Sequence, residues 1–303
     1  MKWIKLGRIF VANGEHPWMQ THAYMPTLDL RDDDLIRIYL AFLDKGKVGR
    51  VGYIEVEKDD PLKVRNISER PVLDIGSKGS FDDNGVTPMS IVNYRNRKYL
   101  YYIGWQLGKE VRYYLFSGLA ISDDNGNTFN RYSNAPILAR CDGESYVRTA
   151  TTVVRENDIW KMWYMGGDEW VHIGDKELPK YNMRYMESAD GCDWSTKSKI
   201  CMHTRNGEHG FGRPSVVKEN GIYKMWYSIR TVSKGYRMGY AESEDGIHWK
   251  RKDDEVGIDV SESSWDSTMI AFPEIIDVNG KRYMFYNGNN YGETGVGVAL
   301  LEQ

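Results

Sequence analysis

The segment RPSVV at residues 213–217, followed by KMWY at 224–227, decides the fold, because the chain repeats it. A close copy reads ATTVV at 150–154 and KMWY at 161–164. Looser copies follow the same pattern, and the five anchor positions are Pro26, Pro88, Thr151, Pro214 and Pro273. The anchors recur roughly every 60 residues, a period typical of repeat proteins. Five such units account for about the whole chain.

Each unit continues with an apolar strand that ends in Ser and a turn, as at 119–126, 185–191 and 240–246. Strands rich in β-branched and aromatic residues, separated by Asn-Gly or Asp-Gly turns, predict antiparallel hairpins. A unit is therefore strand–turn–strand–loop–strand–turn–strand, the pattern of a propeller blade. We predict an all-β protein, a single domain over 1–303 that forms a five-bladed β-propeller with four-stranded antiparallel blades.

The two ends of the chain complement one another. The fifth unit stops after its third strand at 295–301, whereas an apolar strand at 3–10 precedes the first unit and has no partner there. An unpaired edge strand invites aggregation, so proteins cover such edges. We expect the N-terminal strand to close the last blade.

The composition of the chain excludes several classes of protein. Hydrophobic residues make up 41% of the chain, which excludes a disordered class, and the net charge of −3 argues against a general nucleic-acid surface. No apolar run approaches the roughly 18 residues of a membrane span, and no secretory signal follows Met1. Three cysteines are too few and odd in number for a disulfide framework. We therefore expect a cytoplasmic protein.

One motif matches a pattern found in a class of enzymes, but we predict that its role here is structural. Ser122, Asp124, Gly126 and Thr128 match the Asp-box pattern of sialidases. Ser and Asp side chains commonly bond nearby backbone amides, so we interpret this segment as a self-bonded turn. In a blade it falls on the face opposite the leaders, by which we mean the segments that directly precede the innermost strands.

Those leaders carry the candidate chemistry. Five to seven positions before the anchors of four units lie the acids Asp82, Asp83, Glu144, Glu208 and Asp266. Five-fold arrangement is expected to gather them at one funnel, where like charges raise each other's pKa and separate an acid from a base. The same leaders supply cations that can neutralise this charge or hold an anionic group, namely His22, Arg148, His209 and Arg213.

The loops on the same rim suit a sugar. They carry Trp105, Trp170, Arg230 and Asn289, among other aromatic and amide side chains. Aromatic faces stack on the C–H face of a sugar ring while polar groups bind its hydroxyls. We therefore expect a saccharide or sugar conjugate as the partner.

The repeated Met-Trp-Tyr strand and the Ser-x-Asp-Gly-x-x-Trp turns at 188–194 and 243–249 resemble the arabinanase/levansucrase/invertase-like glycosidase superfamily. More narrowly, the chain resembles the glycosidase-like proteins of bacterial polysaccharide gene clusters. The resemblance implies hydrolases, transglycosidases or mannoside phosphorylases with carboxylates from several blades at a central funnel. The first blade departs from the family's pattern, because His22 and Tyr24 lie where the family usually has an Asp.

The resulting hypothesis is a glycoside hydrolase acting on a bacterial surface polysaccharide or its precursor. Asp83 would activate water, Glu208 would protonate the leaving oxygen and Asp266 would modulate the pair, with no metal or cofactor. Asp83 and Glu208 would face each other across a gap of roughly 6.5–9.5 Å, which implies inversion. The alternatives are a phosphorylase or glycosyl-transferring enzyme that uses the Arg and His residues for an anionic group, and a non-catalytic saccharide-binding propeller.

Overall fold

A computed structural model describes residues 1–31, 33–173, 176–194 and 197–302. Strand β1 (Trp3–Phe10) precedes five strand groups, of which the first contains β2 (Thr21–Leu30), β3 (Leu35–Leu43), β4 (Gly49–Glu57) and β5 (Val64–Ile67). The second contains β6 (Val86–Tyr94), β7 (Arg97–Leu107), β8 (Tyr113–Ser122) and β9 (Asn130–Arg131). The third contains β10 (Val147–Glu156), β11 (Ile159–Ile173), β12 (Lys176–Ser188) and β13 (Lys199–Met202).

The fourth group contains β14 (Glu208–Glu219), β15 (Ile222–Thr231), β16 (Arg237–Ser243) and β17 (Lys250–Arg251). The fifth contains β18 (Ala271–Val278), β19 (Lys281–Asn287) and β20 (Val296–Leu301). A 3-10 turn at Asp253–Glu255 and a helical turn α1 at Asn289–Gly292 complete the described elements. The chain is nearly all-β, as the sequence predicts, and none of the described helices is long and apolar enough to cross a membrane.

Consecutive strands within each group pair antiparallel. Strand β1 pairs antiparallel with β20, from Trp3 opposite Leu301 to Phe10 opposite Val296, so the fifth group also has four strands. The second and third groups touch through a short parallel pairing of β8 with β10. The first strands contact each other in the cyclic order β2, β6, β10, β14, β18 and back to β2.

The repeated motifs are explained by contacts between neighbouring groups. Aromatic side chains of the second strands donate hydrogen bonds to turn carbonyls of the next group: Tyr39 to Gly126, Tyr101 to Gly191 and Trp163 to Gly246. A Cβ at Gly126 would lie 2.0 Å from the Tyr39 hydroxyl, so only glycine admits this approach. These glycine-containing turns and the aromatic side chains of the second strands therefore hold neighbouring groups together.

The Asp-box-like segment is a self-bonded turn, which confirms the sequence interpretation. Asp124 accepts hydrogen bonds from the backbone N–H groups of Asn127 and Thr128, and Ser122 Oγ accepts one from the Gly126 N–H. The Thr128 hydroxyl donates to the other carboxylate oxygen of Asp124, so both oxygens are engaged within the turn.

Every first strand carries a β-bulge at its anchor. The pairing register shifts at Tyr24/Thr27, Pro88/Ser90, Thr149/Thr152, Gly212/Ser215 and Ala271/Glu274. In three of the bulges a non-glycine residue has positive φ, namely Met25, Ala150 and Phe272 at 58°, 60° and 58°. A bulge re-aims the side chains around it, so the side chains near the centre do not follow simple strand alternation.

Candidate functional site

Four of the five groups contain the same pair, in which a tyrosine hydroxyl of the second strand donates a hydrogen bond to a buried or partly buried carboxylate. The pairs are Tyr102–Asp82 at 2.9 Å, Tyr164–Glu144 at 2.6 Å, Tyr227–Asp253 at 2.5 Å and Tyr286–Asp266 at 3.0 Å. We call them the carboxylate–tyrosine pairs. Their recurrence in different groups indicates a part of the scaffold rather than one shared site.

Each of these carboxylates also has a cation. Asp82 pairs with Arg131 at 2.7 Å, Glu144 with Arg148 at 2.9 Å and Asp266 with Lys5 at 2.7 Å, while Arg251 donates to Asp253 at 3.0 Å. Asp82, Glu144 and Asp266 are at most 1% exposed. The sequence predicts one ring of acids at a common funnel, and the structure adds that each of these three acids has its own cation partner. Asp82, Glu144 and Asp266 are thus each engaged in an ion pair.

Glu208 is held as a carboxylate. Arg251 binds it through both terminal nitrogens, at 2.8 and 2.7 Å, and the backbone N–H of Arg205 donates to it at 2.8 Å. Burial opposes ionisation, but these hydrogen bonds outweigh burial and lower the pKa of Glu208. A lowered pKa favours a permanently charged group over the proton donor expected from sequence.

Asp83 differs from the other leader acids. Its Oδ2 accepts a hydrogen bond from the Gly79 backbone N–H at 2.8 Å, and it makes no ion pair with any residue that the structure describes. Asp83 directly precedes the Asn84–Gly85 stretch whose backbone pairs with Trp105 at the end of β7. It therefore lies at the end of the second group where the aromatic side chains described below are found.

The leader cations are mostly engaged. Arg148 binds Glu144, and the buried His209 contacts the Pro179 carbonyl at 3.2 Å, with burial lowering its pKa. His22 has positive φ and a pKa lowered by burial and by Lys47. These two imidazoles are therefore held neutral rather than cationic.

The fully buried Arg213 crosses between groups. From β14 it donates a hydrogen bond to the Pro26 carbonyl of β2 and pairs with Glu274 of β18 at 2.7 Å. Burial raises the pKa of Glu274 to about 7, although Arg213 opposes the rise. Glu274 is not among the acids predicted from the sequence, because it follows its anchor whereas those acids precede theirs.

Asn289, expected to bind substrate, makes hydrogen bonds that hold the loop between β19 and β20. Its Oδ1 accepts hydrogen bonds from the backbone N–H groups of Thr268 and Met269, at 2.8 and 3.1 Å. Its amide nitrogen donates to the Ser264 carbonyl. These contacts tie the α1 turn to the segment before β18 and give Asn289 a positioning role.

A cluster of aromatic side chains joins all five groups at the strand ends near the leaders. We call it the aromatic mouth, and it consists of Tyr24, Trp105, Tyr113, Tyr146, Trp170, Tyr181, Tyr236 and Tyr291. Ring centroids lie 4.8 Å apart for Trp105–Tyr113, 4.9 Å for Tyr146–Trp170 and 5.5 Å for Tyr236–Tyr291. Tyr113 lies within electrostatic range of Tyr24, Tyr146 and Tyr236.

Trp105, Trp170 and Arg230, predicted from sequence, belong to this region, whereas four of its tyrosines were missed. The missed residues are Tyr113, Tyr146, Tyr181 and Tyr236, to which only the richness of tyrosine, 21 residues in all, gave a signal. Trp170 and Tyr291 remain 37% and 51% exposed, so part of each side chain is open to solvent. No group of three or more His, Cys, Asp or Glu is arranged for a metal ion in the described ranges.

The fold is that of the glycosidase-like propellers. A solved glycoside hydrolase superposes with a TM-score of 0.74 at 19% identity, covering 98% of this chain and 90% of the other. A β-1,2-mannobiose phosphorylase from Listeria innocua gives 0.72 at 11% identity, covering 99% and 96%. A scan against models of known protein families finds no match.

Sequence comparison is more specific. The chain is 36% identical over 303 residues, all of both chains, to the uncharacterized protein Rv1502 of Mycobacterium tuberculosis, and it belongs to the same family. It is also 29% identical over 165 residues, 52% of each chain, to a 1,2-beta-oligomannan phosphorylase from Thermoanaerobacter sp..

Proposed function

We propose that this protein is a glycan-active enzyme that binds its saccharide at the aromatic mouth of a five-bladed propeller closed by β1. The observation that carries the proposal is the mouth itself, where ring faces from several groups meet beside hydroxyl and guanidinium donors. The cyclic contacts of the first strands and the β1–β20 pairing support five closed blades. The superposed glycoside hydrolase and phosphorylase support the class of reaction.

We propose hydrolysis of a bacterial surface polysaccharide or its precursor as the reaction. Among the three acids assigned from sequence, the contacts favour Asp83 as the base, because it has no cation partner in the described part of the chain. Glu208 and Asp266 are each tied to a cation, so we propose that they position the strand ends instead of exchanging protons. The proton donor is then a group other than Glu208.

Phosphorolysis is the second candidate. It is favoured by the similarity of half the chain to the 1,2-beta-oligomannan phosphorylase. A phosphorylase transfers the glycosyl group to phosphate and releases a sugar phosphate, whereas a hydrolase releases only free sugar. A non-catalytic binder would release neither product.

The test is a product assay with β-1,2-mannooligosaccharides and a wider panel of bacterial glycans, each with and without phosphate. Asp83→Asn should lower turnover at least 100-fold, because an amide cannot accept the proton, with the melting temperature unchanged. Asp123→Asn, a 63% exposed acid paired with Arg97, is the matched control and should leave turnover unchanged. Binding without any product would contradict an enzyme, and absence of binding across the panel would contradict the saccharide site.

We also propose a reducing compartment, the cytoplasm, as the site of action. Cys141, Cys192 and Cys201 are all free thiols. Proteins of oxidising compartments tend to pair their cysteines, so three unpaired thiols favour a cytoplasmic protein. Fractionation of cells that express the tagged protein would test this.

A further inference from the structure

Arg230 is the guanidinium of the aromatic mouth that lacks a counter-ion. It lies near the end of β15, opposite Gly210 of β14, and forms no ion pair with any Asp or Glu of the described ranges. Its hydrogen bond goes to the Tyr181 hydroxyl. An arginine that is half-buried without a carboxylate keeps most of its five donors available.

Two tyrosine rings fix the position of this guanidinium. Its central carbon lies 5.5 Å from the Tyr181 ring centroid and 5.4 Å from that of Tyr236. Cation–π contact orients an arginine without neutralising its charge. Tyr181 is in turn held against Gly210, where a Cβ would lie 2.5 Å from the ring. The Arg230 guanidinium is thus held in one position before a ligand binds.

Tyrosine side chains lie on two sides of the Arg230 guanidinium. The charged or titratable groups that act on Tyr146 and Tyr236 are Arg230 and other tyrosines, with no carboxylate among them. Burial raises the pKa of Tyr146 to about 12 and raises that of Tyr236 as well, so both hydroxyls keep their protons. Neutral hydroxyl donors around an uncompensated guanidinium are suited to an oxyanion.

The other cations predicted from the leaders are not available to bind an anion. Arg148 and Arg213 are paired with Glu144 and Glu274, and burial keeps His209 neutral. We infer that the aromatic mouth binds an acidic saccharide, and that Arg230 holds its carboxylate or phosphate group. This inference rests on the proposed saccharide site and adds the charge of the substrate.

The experiment measures binding of the full chain to paired glycans, one with an acidic group and one in which that group is esterified or absent. The pairs are trigalacturonate with its methyl ester and mannose 6-phosphate with mannose, and inorganic phosphate is titrated alone. At least one acidic member should bind at least tenfold more tightly than its neutral partner. Arg230→Gln should abolish that preference, and Arg230→Lys should retain part of it, since an ammonium supplies charge without the bidentate fork.

Two further variants keep the test decisive. Tyr181→Phe leaves the charge of Arg230 but removes its hydroxyl partner, and should weaken the acidic preference two- to fivefold even if Arg230→Gln folds poorly. Arg97→Gln, an exposed arginine 53% accessible and outside the mouth, is the matched control and should change nothing.

Equal binding of charged and neutral partners, or a preference that survives Arg230→Gln, would overturn the inference while leaving a neutral saccharide site possible. Arg230-dependent binding of inorganic phosphate, without any preference among the saccharide pairs, would overturn it as well, because the oxyanion would then be free phosphate. Failure of every glycan to bind would remove both the inference and the proposed function.

Discussion

Substitution of Asp266 tests most directly whether a leader acid is structural or catalytic. Its Oδ2 accepts hydrogen bonds from Lys5 Nζ at 2.7 Å and from the Tyr286 hydroxyl at 3.0 Å, and the residue is 1% exposed. The Asp266→Ala variant removes both contacts and leaves the Lys5 ammonium without its counter-ion. Burial and the neighbouring carboxylate raise the pKa of Tyr286, so its hydroxyl stays a donor that then loses its acceptor.

The expected loss follows from these contacts. Breaking a buried ion pair costs about 3–5 kcal/mol when the remaining charge stays buried. The Lys5 side chain is 25% exposed and can reach water, which reduces the cost to about 2–4 kcal/mol. Tyr286→Phe removes a single hydrogen bond and should cost about 1 kcal/mol. For a chain of this size the Asp266→Ala change corresponds to a drop of about 5 °C in melting temperature.

The assay combines thermal and denaturant unfolding with the product assay on the same samples. Asp277→Ala is the matched control, because Asp277 belongs to the same strand group, on β18, but is 55% exposed and pairs with Arg282 at the surface. It should cost less than about 1 kcal/mol. If Asp266→Ala keeps the wild-type melting temperature and loses turnover, the structural assignment is refuted and Asp266 belongs to the catalytic machinery.

Two further predictions concern Glu274 and Gly210. Burial raises the pKa of Glu274 from its ordinary 4.5 to about 7, so the folded protein binds this proton more tightly than the unfolded chain. The stability that this proton contributes is present below pH 4.5 and is lost as the pH rises through 7, by up to about 3 kcal/mol. Glu274→Gln should flatten this dependence of the free energy of unfolding on pH, measured from pH 5 to 8. An unchanged slope would contradict the buried pair. Gly210→Ala should displace the Tyr181 ring, cost about 1–3 kcal/mol and weaken acidic-glycan binding through Arg230. Wild-type stability and affinity in this variant would contradict the packing argument.

The scaffold follows from the sequence because its signals are local. The repeated anchors, the Met-Trp-Tyr strands and the Asp-Gly turns each specify a strand or a hairpin within a few residues. The Asp-box-like turn at Ser122 was likewise predictable, since its hydrogen bonds lie within the turn.

The partners of the acids are a tertiary property. Asp266 binds Lys5, at the other end of the chain, and Asp82 binds Arg131 from the outer strand of its group. Spacing before an anchor places an acid at a strand start but does not say whether its side chain points to the axis or into its own group. The bulge at each anchor and the register of the outer strands decide that, and both depend on packing between groups.

By itself, the sequence determined the repeat, the order of the strands and the wealth of aromatic and acidic side chains near one set of strand ends. Only the tertiary structure decided that the acids are mostly consumed in separate ion pairs, and that Arg230 lies uncompensated between Tyr181 and Tyr236. The physical reason is that strand formation depends on short-range patterns, whereas the charge state of a site depends on which distant side chains share its low-dielectric surroundings.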